Sequence, residues 1–109
     1  MLYGVPNQPT YFADDGWSIR RKEDGFIAKT WELFLRNTSN TEMPLRNPMV
    51  KAAVRAMDAA QEYLLQKTGQ NVTRFLVAGA SKRGWTSWIT AAVDDRVVAL
   101  VPCVMSLLN

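Results

Sequence analysis

Apolar positions follow two different spacings along this chain, and each spacing predicts its own kind of element. From Glu23, the residues Phe26, Ile27, Thr30, Trp31, Phe34 and Leu35 recur as one face of a helix about four turns long. Glu23 and Asp24 fall in its first turn, where carboxylates suit the helix dipole, and the polar stretch 37–43 ends it. Asn47-Pro48 predicts a second helix, with Asn47 as N-cap and proline at the first helical position. Met49, Ala53, Met57, Ala60 and Leu64 line its apolar face, and Lys67-Thr68-Gly69 stops it. Residues 74–78 read as a short strand, residues 85–93 as a helix, Asp94-Asp95-Arg96 as a turn, and residues 97–101 as a strand. Residues 2–5 read as one more strand, stopped by the double-proline loop Pro6-Asn7-Gln8-Pro9. Asp14-Asp15-Gly16 marks a further loop after Tyr11-Phe12. Strands alternating with helices predict an α/β layer structure with a parallel sheet. The unbroken apolar run Val97-Val98-Ala99-Leu100-Val101 fits a strand covered on both faces, which needs no polar alternation.

Composition narrows the chemistry. The chain has 109 residues, 48% of them hydrophobic and 21% charged, which excludes a disordered tail and a second complete domain. A single cysteine excludes an internal disulfide scaffold, and with no histidine a zinc site would have carboxylates alone. No metal or cofactor is expected. The net charge of +3 is scattered, and its densest cluster, Arg20-Arg21-Lys22, is answered at once by Glu23 and Asp24. A nucleic-acid footprint would be a basic stripe on one face, so no nucleic-acid partner is expected. The N-terminus has no basic n-region followed by an apolar stretch, as a signal peptide would. The longest apolar run, residues 97–108, is interrupted by Pro102, so no membrane span is predicted. Asn37-Thr38-Ser39 and Asn71-Val72-Thr73 are glycosylation sequons, relevant only in a eukaryotic secreted protein.

One segment carries chemistry. A short apolar strand runs into Gly79-Ala80-Ser81-Lys82-Arg83-Gly84 and then a helix. A serine on a tight strand-to-helix turn is the context of a nucleophile elbow, in which the turn pushes the hydroxyl out at the carboxyl end of the sheet. Gly79 and Gly84 allow the close approach, although the second glycine follows Ser81 by three residues, not by two as in G-x-S-x-G. The amide of Lys82 sits at a helix N-terminus, where it can face a developing oxyanion. The plainer reading is a strand-to-helix turn whose serine merely caps the helix. A cation in the first turn opposes the dipole by about 0.3–1 kcal/mol, which favours a site where Lys82 and Arg83 bind negative charge. Solvent exposure at the helix edge is the alternative for both. Trp85 and Trp88 read as core or domain-packing residues rather than a stacking platform, and Asp14, Asp15, Asp94 and Asp95 as turn residues.

The stretch Val77-Ala78-Gly79-Ala80-Ser81-Lys82-Arg83-Gly84-Trp85-Thr86-Ser87-Trp88 closely resembles the PhoPQ-activated pathogenicity-related proteins. Val5-Pro6-Asn7-Gln8-Pro9, Glu23-Asp24, Ala28, Thr30-Trp31, Pro48-Met49-Val50-Lys51-Ala52, Met57-Asp58 and Asp95-Arg96-Val97 extend the likeness over most of the chain. Gly25 departs from it, standing where an alanine or a larger apolar residue would follow the acidic pair. The resemblance implies an α/β-hydrolase fold of about eight strands over 200–250 residues, of which residues 1–109 would be a partial, incomplete domain. That fragment would run from the oxyanion-loop strand through the strand after the nucleophile helix. It implies Ser81 as nucleophile, with the Lys82 amide and the backbone around Asn7 and Gln8 as oxyanion hole. In this fold the triad's acid and histidine follow later in the chain than Asn109.

The expected function is therefore part of a serine hydrolase that cleaves an ester or amide by an acyl-enzyme route, inactive as this fragment alone. Its partners would be an unknown small-molecule or peptide substrate and the remainder of its own hydrolase domain. An extracytoplasmic or secreted location follows from the resemblance alone. Two other readings compete. One is a glucuronoyl methylesterase-like carbohydrate esterase, whose elbow has the same Gly79-to-Gly84 spacing and a basic residue after the serine. The other is a non-catalytic secreted signalling or binding protein that keeps the elbow only as structure.

Overall fold

Most of these periodicities become elements at the expected places. A computed structural model describes residues 1–104 of the protein, so the end of the long apolar run, residues 105–108, lies outside the described residues. Among these residues the order is α1 (Glu23–Arg36), α2 (Arg46–Thr68), β1 (Phe75–Ala80), α3 (Lys82–Val93) and β2 (Val97–Cys103). Among the described residues no helix is long and apolar enough to cross a membrane. The chain forms two compact units, Met1–Met49 and the part from Val50 onward.

The first unit is built around α1. The strand expected at residues 2–5 does not form, because Gly4 takes a left-handed φ of +67° that no extended strand accommodates. Backbone pairing falls instead on Thr10 and Arg21, which exchange hydrogen bonds of 3.0 and 2.9 Å across an antiparallel bridge. The bridge encloses a single 3₁₀ turn, Ala13–Asp15. Phe26 of α1 packs with Leu45 and Met49, joined by the half-buried Val5, Phe12 and Ile27. Phe12 meets the Phe26 ring edge-on, centroids 5.8 Å apart. The far end of the predicted α1 face is exposed at Trp31 and Leu35, whereas Lys29, which the apolar spacing leaves off that face, is buried. Its ammonium can be buried because Asp14 lies 2.6 Å away and Glu32 3.3 Å away. The hydroxyl of Thr30 accepts the Leu45 N–H at 3.1 Å and donates to the Ile27 carbonyl at 2.8 Å.

Helix α2 begins at Arg46, one residue before the expected cap. Asn47 does not cap it, since its side-chain amide donates to the Thr41 carbonyl at 2.7 Å. The predicted face holds: Met49 and Met57 are buried, and Ala53, Ala60 and Leu64 are half-buried. Gly69, at a φ of +72°, closes the helix with its N–H on the Leu65 carbonyl at 3.0 Å.

The second unit contains a two-stranded parallel sheet, as the α/β pattern predicts. Val77 pairs with Leu100, Ala78 with Val101, Gly79 with Pro102 and Ala80 with Cys103. A Cβ on Gly79 would point at Arg83, so α3 lies on the sheet face that carries Gly79 and, by alternation, Phe75 and Val77. The opposite face carries Leu76, Ala78 and Ala80 beside Ala99, Val101 and Cys103, and all are exposed. Coverage of both faces, expected from the apolar run, is therefore not seen among the described residues. Arg96 clasps the unit at the start of β2. Its guanidinium reaches Asp94 at 2.6 and 2.9 Å and Asp58 of α2 at 2.8 Å, and it lies over the Phe75 ring.

Candidate functional site

The sharp turn between β1 and α3 is where structure and candidate chemistry meet. Ser81 has φ +54° and ψ −122°, a region that residues with a Cβ rarely enter. Such backbone costs about 1–3 kcal/mol and persists only where its surroundings over-determine it. Both of its backbone groups are held: the Ser81 N–H donates to the Cys103 carbonyl at 2.9 Å, and the Ser81 carbonyl accepts the Trp85 N–H at 3.2 Å. Its side chain makes no capping hydrogen bond to α3, and the residue is exposed. The plain helix-cap reading of Ser81 is therefore not what the structure shows.

The flanking glycines have steric reasons to be glycine. A Cβ on Gly79 would sit 2.3 Å from the Arg83 carbonyl oxygen, a contact no real Cβ makes. On Gly84 it would sit 3.0 Å from the Gly79 carbonyl oxygen and 3.2 Å from that of Cys103. These contacts let α3 start directly against the ends of β1 and β2.

Lys82 opens α3, whose first turn has no acidic residue. It is only 9% exposed, so for this residue the solvent-exposed alternative is overturned. Arg83 is half-buried. The buried face of α3 is polar, with Thr86, Ser87 and Thr90 turned inward. Each hydroxyl is satisfied within the helix, donating to the carbonyl four residues back at 3.0, 2.9 and 2.8 Å respectively. Trp85 and Trp88 are instead 37% and 48% exposed, so among the described residues they are not core, and of the two expected roles only domain packing is left.

The turn brings Gly79, Ser81, Lys82, Arg83 and Gly84 together. Asn7 and Gln8 belong to the first unit. Asn7 is exposed, and the Gln8 side chain holds the start of α1, where its carbonyl oxygen accepts the Glu23 N–H at 2.8 Å. The four acidic turn residues divide. Asp14 pairs with Lys29, Asp15 with Arg21 at 3.0 Å, and Asp94 with Arg96, while Asp95 is exposed. The Lys29 ammonium holds the Asp14 carboxyl below the usual carboxylate range, and the Arg96 guanidinium does the same for Asp94. These are structural ion pairs. No group of His, Cys, Asp and Glu suited to a metal ion occurs among the described residues.

Sequence reasoning missed Cys103, using it only to count thiols. Its carbonyl touches the candidate serine, and only the register of β1 and β2 reveals that.

Comparison with known proteins supplies the wider setting. The profile of the family described as PhoPQ-activated pathogenicity-related protein matches residues 1–109. Autocrine proliferation repressor protein A of Dictyostelium discoideum is 51% identical over 109 residues, covering 99% of this chain and 21% of that protein. The chain thus spans about a fifth of that curated relative's length. No solved structure matches.

Proposed function

The chain belongs to the PhoPQ-activated pathogenicity-related protein family, and from that premise we propose that residues 1–109 are the nucleophile-bearing part of an α/β-hydrolase domain. The observation that carries the reading is Ser81. It is held in strained backbone at the end of a parallel strand, with a hydroxyl that does not cap the helix. Strain of this kind clusters at functional sites.

In the proposed reaction the Ser81 oxygen attacks the carbonyl carbon of an ester or amide, and its proton passes to a general base. The tetrahedral oxyanion is received by the N–H of Lys82 at the head of α3. Collapse expels the alcohol or amine with a proton returned from the base, and water then releases the acid from the acyl-enzyme. This chain has no histidine, so on this reading base and acid come from polypeptide beyond these 109 residues. Lys82 and Arg83 favour a substrate with negative charge beside the cleaved bond. An extracytoplasmic location accompanies the reading.

The test is fluorophosphonate labelling of the full-length family protein that contains this segment. Ser81 should be labelled and Ser81→Ala should not. A folded protein that resists the probe overturns the hydrolase reading. It would leave the second reading, a signalling protein on a hydrolase scaffold, which the name of the proliferation-repressor relative favours.

A further inference from the structure

We propose that the main-chain carbonyl of Cys103 is the group that positions Ser81, making the end of β2 a positioning element for the nucleophile. The proposal rests on the hydrolase reading for its catalytic meaning, but its structural claim can be tested separately.

Ser81 stays at φ +54° only if something outside the turn holds it there. Of its two backbone hydrogen bonds, the one from Trp85 N–H lies inside the first turn of α3 and forms whenever that helix starts at Lys82. The other reaches across the sheet. The last ladder pair is Ala80 with Cys103, and the Ser81 N–H closes that pair by donating to the Cys103 carbonyl at 2.9 Å. Ordinarily the end of a ladder frays. Here it is backed by Gly84, whose missing side chain lets α3 press against the Cys103 carbonyl, the same oxygen that receives Ser81.

The two glycines thus act differently. Gly79 fits β1 to α3 through Arg83, whereas Gly84 also fits α3 to the end of β2. The Cys103 thiol takes no part: the residue is exposed, and among the described residues its sulfur reaches the Val101 carbonyl of its own strand, at 3.8 Å.

Two variants of the full-length protein separate backbone from side chain. Cys103→Ala keeps the carbonyl and should leave the fluorophosphonate labelling rate within about twofold. Gly84→Ala places a methyl 3.0 Å from the Gly79 oxygen and 3.2 Å from the Cys103 oxygen, and should slow labelling at least tenfold. Met57→Ala, buried in α2, controls for lost stability.

Residue-resolved hydrogen exchange supplies the readout that a merely structural role would not move. The Ser81 amide should be protected in the unaltered protein and should lose that protection in Gly84→Ala but not in Met57→Ala. A Ser81 amide that exchanges freely in the unaltered protein overturns the proposal, and that result stands even if Gly84→Ala fails to fold. Unchanged protection in folded Gly84→Ala overturns it too. A protected Ser81 in a protein that resists the probe upholds the backbone clasp and removes only the hydrolase reading.

Discussion

Gln8 and Glu23 hold each other through two hydrogen bonds. The Glu23 N–H donates to the Gln8 side-chain carbonyl at 2.8 Å, and the Gln8 amide donates back to the Glu23 carboxylate. Fifteen residues apart, they reproduce the reciprocal arrangement of a capping box, with the cap supplied from the double-proline loop rather than from the residue before the helix. Lys22, the residue in the N-cap position, makes no side-chain capping bond.

Removing that cap should loosen α1. Gln8→Ala is expected to cost about 1 kcal/mol, the usual worth of an N-cap side chain. Urea unfolding should show a lower midpoint with an unchanged slope. A stability equal to the parent's would mean that water replaces the Gln8 oxygen without loss.

Glycine-to-alanine changes should split by position. At Gly25 a Cβ meets nothing within 4 Å, so Gly25→Ala should stabilise α1 by about 0.5–1 kcal/mol. At Gly79 it meets backbone at 2.3 Å, and Gly79→Ala should destabilise by about 3 kcal/mol, the upper end of overpacking costs. Thermal melts of the two variants should move in opposite directions.

Ser81→Gly should relieve the strained backbone while deleting the proposed nucleophile. The expected gain is about 1 kcal/mol, at the low end of the strain such a residue stores, because glycine also loses more chain entropy on folding. In the full-length protein the same change should abolish fluorophosphonate labelling. A variant less stable than the parent would mean that the Ser81 side chain contributes to folding.

Stability should fall at both ends of the pH scale. Asp14 is held below its ordinary 3.8 by Lys29, Asp58 by Arg55 and then Arg96, and Asp94 by Arg96. A carboxyl with a lowered folded-state pKa stabilises the fold above its unfolded value, and that contribution disappears as pH drops below about 3.8 towards the folded value. Lys29 is raised above its ordinary 10.5 by Asp14, so its contribution is complete below 10.5 and lost as pH climbs past it. Melting temperature should therefore be flat from about pH 5 to 10 and fall on either side. Arg96→Met should reduce the acid-side fall, since it removes a partner of both Asp58 and Asp94.

Local spacing determined the three helices and the two paired strands, their order and the α/β layering, because 3.6-residue and continuous apolar patterns belong to each segment alone. It also singled out the Gly79-Ala80-Ser81 turn, since glycine beside serine after an apolar run is a local signal. Tertiary structure decided the rest. Gly4 turned left-handed and ended the expected first strand, and Lys29 entered the interior because Asp14, distant in sequence, came to meet it. The inward face of α3 became Thr86, Ser87 and Thr90 rather than its tryptophans. Gln8 went to α1, and the Cys103 carbonyl went to Ser81. The Asp14–Lys29 pair, the Gln8–Glu23 cap and the Ser81–Cys103 bond each join residues far apart in the chain. No periodicity within a single segment encodes such a meeting, so it exists only once the elements have packed.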